Sequence, residues 1–181
     1  MLEFADTQGF VFSGYLHKPF ASYLLLKVTD RERAQVFLRD LCQLVTTGND
    51  RPREACLNIA LSAAGLSALG LPEDAFQTFP LEFREGMAGS ETRSRALGDT
   101  DSNDPNHWRW GRPNDRVHVL LMIFAQDEAV LERLVTAQRN AFAGALSVAY
   151  ERRTAALPDR KEHFGFTDGI AQPIIEGSGQ E

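Results

Sequence analysis

The chain lacks most of what would anchor or staple it. No apolar run approaches the roughly 18 residues that a membrane span requires, and the N-terminus, Met1-Leu2-Glu3-Phe4-Ala5-Asp6, has acids where a secretory leader has bases, which leaves the cytoplasm as the expected location. Two cysteines are too few for a disulfide framework and show no zinc spacing, so Cys42 and Cys56 are both expected to be buried thiols. Basic clusters are also missing. Lys and Arg number 19 against 25 Asp and Glu, a net charge of -6, and Arg51-Pro52-Arg53 and Arg152-Arg153 are too short to form the cationic face that nucleic acid needs. Histidine is scarce: His17 lies in a loop beside Pro19, His107 in a polar stretch and His118 in an apolar strand, while His163 stands near the C-terminus. Each reads as a capping or core histidine rather than a metal ligand. Asp99-Thr100-Asp101-Ser102-Asn103 opens like a calcium loop, but Asp104 and Trp110 stand where such a loop places Gly and Glu, so no metal site is expected.

What remains is ordinary globular material. With 181 residues, 43% hydrophobic and 24% charged, the chain can bury one core and carry a tail. Residues 22–28 form a short, β-rich apolar run. Asp30 then caps a helix predicted to reach about Thr46, in which Ala34, Phe37, Leu38, Leu41, Leu44 and Val45 make one stripe. A second strand spans Ala55 to Leu61, and Ser62 to Leu69 is helical until Gly70-Leu71-Pro72 stops it. Residues 72–115 are polar and broken, with one short helix predicted from Pro80 to Met87. Trp108 and Trp110 there are expected to pack over the sheet, a surface radical site being the alternative reading. Val117 to Phe124 reads as a central strand, Asp127 caps a helix whose Val130, Leu131, Leu134, Gln138, Ala141 and Phe142 share one side, and Leu146, Val148 and Tyr150 alternate in a fourth strand. The order βαβ, insertion, βαβ predicts a ferredoxin-like α+β sandwich, an antiparallel four-stranded sheet with both helices on one face. Residues 1–155 form that domain, and 156–181 follow as a separate segment.

The chemistry is expected in that segment. It reads His163-Phe164-Gly165-Phe166-Thr167-Asp168-Gly169-Ile170-Ala171-Gln172-Pro173, with a carboxylate between two glycines. Glycine permits a tight turn and the close approach of a large flat ligand, while Phe166 and Ile170 shield the Asp168 carboxylate from bulk water.

This string resembles the distal-side motif of the dye-decolorizing peroxidases, a family of haem enzymes. Other segments are similar to that family in the same order: Gln8-Gly9 with Gly14-Tyr15, Ala21 to Val28, Asn58-Ile59-Ala60, Gly65 to Pro72, Phe79-Pro80, Phe83 to Met87, Leu97 to Thr100, His107-Trp108 and Val117 to Leu121. The resemblance implies the ferredoxin-like fold, haem b as cofactor, hydrogen peroxide and small aromatic reductants as partners, and Asp168 as distal acid/base. It also implies that Phe166, Gly169, Ile170 and Gln172 lie against the haem, with Gln172 donating to a propionate. Members of the family continue for about another domain past the position of Glu181. The axial His and distal Arg are therefore expected in a C-terminal part absent here, and the isolated chain is expected to be inactive and to bind haem weakly or not at all. Phe164, Phe166, Ile170, Ile174 and Ile175 would then be uncovered, which predicts homo-oligomers or pairing with the missing half. A ferredoxin-like binding or assembly module without catalysis is the alternative.

Overall fold

A computed structural model describes residues 3–12, 14–157, 159, 161–167 and 176. Its frame is a four-stranded sheet built from β1 (Phe20–Val28), β2 (Ala55–Leu61), β3 (Val119–Ala125) and β4 (Leu146–Ala155). The order is β2-β3-β1-β4 with every neighbouring pair antiparallel, the expected ferredoxin-like topology. Two long helices cover one face, α1 (Arg31–Cys42) after β1 and α6 (Glu128–Ala141) after β3. Both start at the expected caps: Asp30 accepts the Arg33 N–H at 3.0 Å and Asp127 the Val130 N–H at 2.8 Å.

Alternation along the strands makes the core. Leu24, Leu26, Val119, Leu121 and Ile123 point toward the helices and are almost wholly buried, packed with Ala34, Phe37 and Leu41 of α1 and Leu131 and Val135 of α6. Burying each such leucine contributes about 2 kcal/mol, which outweighs any helix propensity in the two covering helices. Phe37 meets Phe142 edge-on at 5.9 Å and closes the space between the helix ends.

Four features depart from the sequence-based expectation. Helix α1 stops at Cys42 rather than near Thr46, because the Leu44 N–H turns back to the Leu41 carbonyl at 2.8 Å and the Thr46 N–H is taken by Leu57 O of β2 at 2.8 Å. Leu44 is consequently exposed, and so is Cys42, contrary to the expected buried thiol, whereas Cys56 is buried. Tyr150 does not share a side with Leu146 and Val148. Leu25 pairs with Tyr150 but Leu26 with Val148, so Ala149 is an extra residue, and this bulge moves Tyr150 to the opposite face. Finally, the insertion holds more helix than expected: α2 (Ala63–Ala68) is followed by α3 (Glu73–Gln77), α4 (Leu81–Glu85) and α5 (Glu91–Leu97).

The bulge has a packing consequence. Past it, Glu151 and Arg153 turn to the helix side, where Glu151 accepts from Ser22, Arg139 and Arg153, and Arg153 also donates to Glu132. Burial pushes the Glu151 carboxyl up, but these donors outweigh it and hold its pKa below the usual value. On the other face, Trp110 stacks on Tyr150 with centroids 6.4 Å apart, so this tryptophan does lie over the sheet although it remains half exposed.

Candidate functional site

β4 ends where Ala155 pairs with Phe20, and the next residue is tied down by a hydrogen bond from the Ala156 N–H to Pro19 O at 2.7 Å. The chain then forms a small hairpin. Lys161 bridges Thr167, the Glu162 N–H donates to Phe166 O at 2.8 Å, and the Gly165 N–H donates to Glu162 O at 2.8 Å. His163, Phe164 and Gly165 make a three-residue loop with Gly165 at φ +90°, the left-handed position that such a loop gives to glycine. A Cβ on Gly165 would meet nothing within 4 Å, so the backbone angle and not crowding demands glycine.

The hairpin displays two apolar rings. Phe164 and Phe166 are 74% and 72% exposed, with centroids 6.0 Å apart. Of the site residues expected from the sequence, the structure places only Phe166; Asp168, Gly169, Ile170 and Gln172 lie outside the described residues, as do Ile174 and Ile175. An open glycine backbone flanked by exposed rings fits one face of a large flat apolar group. The described residues offer less to the other side of such a group. No cluster of three or more His, Cys, Asp or Glu among them gathers to hold a metal. His118 is committed elsewhere: its Nδ1 accepts the Val28 N–H at 3.0 Å, at the opposite end of β1 from the point where the chain leaves β4. Burial, helped by the Lys27 charge, pushes its pKa below the ordinary value, which favours the neutral ring that keeps that acceptor.

A second polar cluster had little visibility in the sequence. Gln8 lies along the free edge of β2 and acts as a substitute strand residue, donating from Nε2 to Ile59 O at 2.8 Å and accepting the Ile59 N–H on Oε1 at 2.9 Å. The same Oε1 accepts from Asn58 Nδ2 at 3.1 Å, Asn58 Nδ2 also reaches Thr46 O at 3.2 Å, and Tyr15 Oη donates to Asn58 Oδ1 at 2.8 Å. Asn58 is fully buried, an amide in the middle of an apolar strand. Tyr15 packs edge-on against Phe124 at 5.0 Å, and burial pushes its hydroxyl up to about 12. Burial likewise raises the neighbouring Cys56 thiol, against the opposing charge of Lys18.

Comparison with known proteins connects the fold to a family. The family model described as "DyP dimeric alpha+beta barrel domain" matches residues 6–158. A dye-decolorizing peroxidase of Exidia glandulosa is 27% identical over 96% of this chain and 34% of its own length. A crystal structure of a decolorizing peroxidase from Auricularia auricula-judae superposes with a TM-score of 0.80 at 24% identity, covering 99% of this chain and 40% of that one. Another dye-decolorizing peroxidase, in complex with 2,6-dimethoxyphenol, gives a TM-score of 0.77 at 22% identity, with 98% and 40% covered. These likenesses below 25% identity carry the fold. The chain spans about a third of the length of the curated relatives it matches.

Proposed function

The chain belongs to the dye-decolorizing peroxidase family through its DyP dimeric alpha+beta barrel domain, and from that premise we propose that it is the N-terminal part of a haem-dependent peroxidase that reduces hydrogen peroxide and oxidises dyes or phenolic compounds. One observation carries the reading: the family match over residues 6–158 is followed, after six intervening residues, by Gly165-Phe166-Thr167-Asp168-Gly169. In this reading residues 1–155 are the scaffold and 156–181 lead into a second, haem-ligating domain that provides the axial His. A small phenol bound to a relative of the same fold supports aromatic reductants. Location in the cytoplasm and pairing with a second chain or a C-terminal half complete the proposal.

Haem b would lie against Phe166, Gly169 and Ile170, with Gln172 donating to a propionate, and it would supply the redox-active iron for peroxide reduction. The work of this chain is proton transfer. Asp168 would take the proton from one peroxide oxygen and deliver it to the other, which would leave as water, the two electrons for O–O cleavage being supplied by the haem. An aspartate with an ordinary pKa of about 3.9 is ionised in mildly acidic water, where a histidine base would already be protonated, so activity at acid pH follows. Once haem and its second domain covered them, Phe166 and Ile170 would exclude bulk water and keep the relay on one carboxylate.

Asp168→Asn in the complete, haem-loaded protein should slow the reaction with peroxide by at least about a hundredfold, the lower range of a general acid–base contribution, while haem content stays the same. A rate within about tenfold of the parent refutes the relay. Haem titration of the 181-residue chain should give no stoichiometric Soret shift; a tight five-coordinate His complex refutes the assignment of the axial ligand to another domain.

A further inference from the structure

A cleft of about 410 Å³ opens between the N-terminal segment and the loop that leads into β2, lined by Phe12, Tyr15, Lys18, Asp50, Arg51 and Arg53 among others. Its charges are not balanced internally. Asp50 is occupied by the Thr47 N–H and hydroxyl at 2.6 and 2.9 Å, and Arg51 donates to Gly48 O and Asp50 O, both at 2.7 Å. No carboxylate among the described residues lies within 4.0 Å of Lys18 or Arg53, although the chain as a whole carries a charge of -6. Tyr15 and Cys56 add no negative charge at neutral pH, since burial raises both. Lys18 Nζ instead hydrogen-bonds the neutral Cys56 side chain and sits 6.0 Å from the centre of the Tyr15 ring.

The other walls are aromatic and fixed. Phe12 packs on Phe4 at 4.6 Å, and a Cβ at Gly48 would fall 2.7 Å from the Phe12 ring, so bare backbone is needed to seat that ring. Tyr15 is held by Asn58. Two cations without a carboxylate partner among the described residues, beside two placed rings, select a ligand that is both anionic and flat. A hydrated phosphate would leave the rings unused, and a neutral aromatic would leave the cations unpaired.

We propose that this cleft binds a small planar aromatic carboxylate, its ring against Phe12 and Tyr15 and its carboxylate paired with Lys18 and Arg53. The site is independent of haem and of Asp168. Benzoate titrated into the ¹⁵N-labelled 181-residue chain should shift the amides of Tyr15, Lys18 and Arg53 along saturating curves with a Kd of about 1 mM or tighter. Benzyl alcohol and inorganic phosphate should each bind at least about tenfold more weakly, and Lys18→Met and Arg53→Gln should each weaken benzoate about tenfold, the size of one charged hydrogen bond. Linear shifts up to about 20 mM benzoate overturn the proposal. So does phosphate that saturates the same amides as tightly, or variants that bind benzoate like the parent. Arg53 is exposed and makes no ion pair among the described residues, so its variant decides the matter even if replacement of Lys18 disturbs the fold.

Discussion

Asn58→Ala is the sharpest test of how the N-terminal segment is held. The side chain makes three hydrogen bonds, to Gln8 Oε1, Thr46 O and Tyr15 Oη, in a site with no solvent access. At about 1 kcal/mol net each, their loss costs about 3 kcal/mol. Whether more is added depends on what is left unpaired. Thr46 O keeps the Gly9 N–H at 2.9 Å and Gln8 Oε1 keeps the Ile59 N–H at 2.9 Å, while the Tyr15 hydroxyl keeps the Phe10 backbone and the Cys56 thiol as partners. The sum therefore stays near 3 kcal/mol, which for a domain of this size lowers Tm by about 6–12 °C. Calorimetry or urea unfolding measures it. In a double-mutant cycle with Tyr15→Phe, the coupling should be about 1 kcal/mol, because the pair shares one of the three bonds. A loss below about 1 kcal/mol for Asn58→Ala, or no coupling to Tyr15, would show that the amide does not join these segments.

Two other perturbations probe the entrance to β3. Gly65→Ala places a Cβ 2.0 Å from His118 O and 2.8 Å from its carbonyl carbon, both backbone atoms, so α2 must lift off the strand; a loss of about 2–4 kcal/mol in urea unfolding is expected, and a stability within about 0.5 kcal/mol of the parent refutes the close approach. His118 gives a pH dependence with a definite sign: its folded pKa lies below the ordinary histidine value of about 6.5, so the unfolded chain binds the proton more readily. Its stabilising contribution is complete above about pH 6.5 and is lost as pH falls through the depressed folded value. His118→Asn, whose Oδ1 can still accept the Val28 N–H, should flatten the difference in urea midpoint between pH 7.5 and pH 5; an unchanged difference assigns the acid sensitivity to other groups.

The sequence revealed elements whose cause is local. Asp30 and Asp127 stand one residue before amphipathic runs and cap them, and alternating Leu24/Leu26 and Leu121/Ile123 mark the buried side of the central strands. What it concealed depends on partners distant in the chain or on elements too short for a period. The bulge at Ala149 is invisible because Leu146, Val148 and Tyr150 alternate regularly in sequence, and only the register against Leu25 and Leu26 shows the slip. Helices of five to seven residues in the insertion complete too few turns to show a stripe. In the candidate site the turn at Gly165 was legible, since glycine at a left-handed position is a backbone requirement. The Gln8, Tyr15 and Asn58 cluster was not, because its residues act across 43 to 51 positions.

These two parts of the molecule are mechanically joined. Asn58 fixes Tyr15; the turn from Tyr15 to Lys18, closed by the Lys18 N–H on Tyr15 O at 2.9 Å, leads to Pro19, whose carbonyl holds the Ala156 N–H at the start of the final segment. Three hydrogen bonds and the backbone between them thus link the edge of β2 to Ala156, from which the chain runs on to Asp168. Loss of Asn58 should therefore lower stability and disturb that segment together at every pH, whereas Asp168→Asn should change the rate with peroxide and leave the unfolding midpoint of the domain where it was. The two substitutions separate a residue that positions the chemistry from one that performs it: if Asp168→Asn destabilises the domain as strongly as Asn58→Ala, the carboxylate serves the fold, and the proton relay assigned to it must be given up.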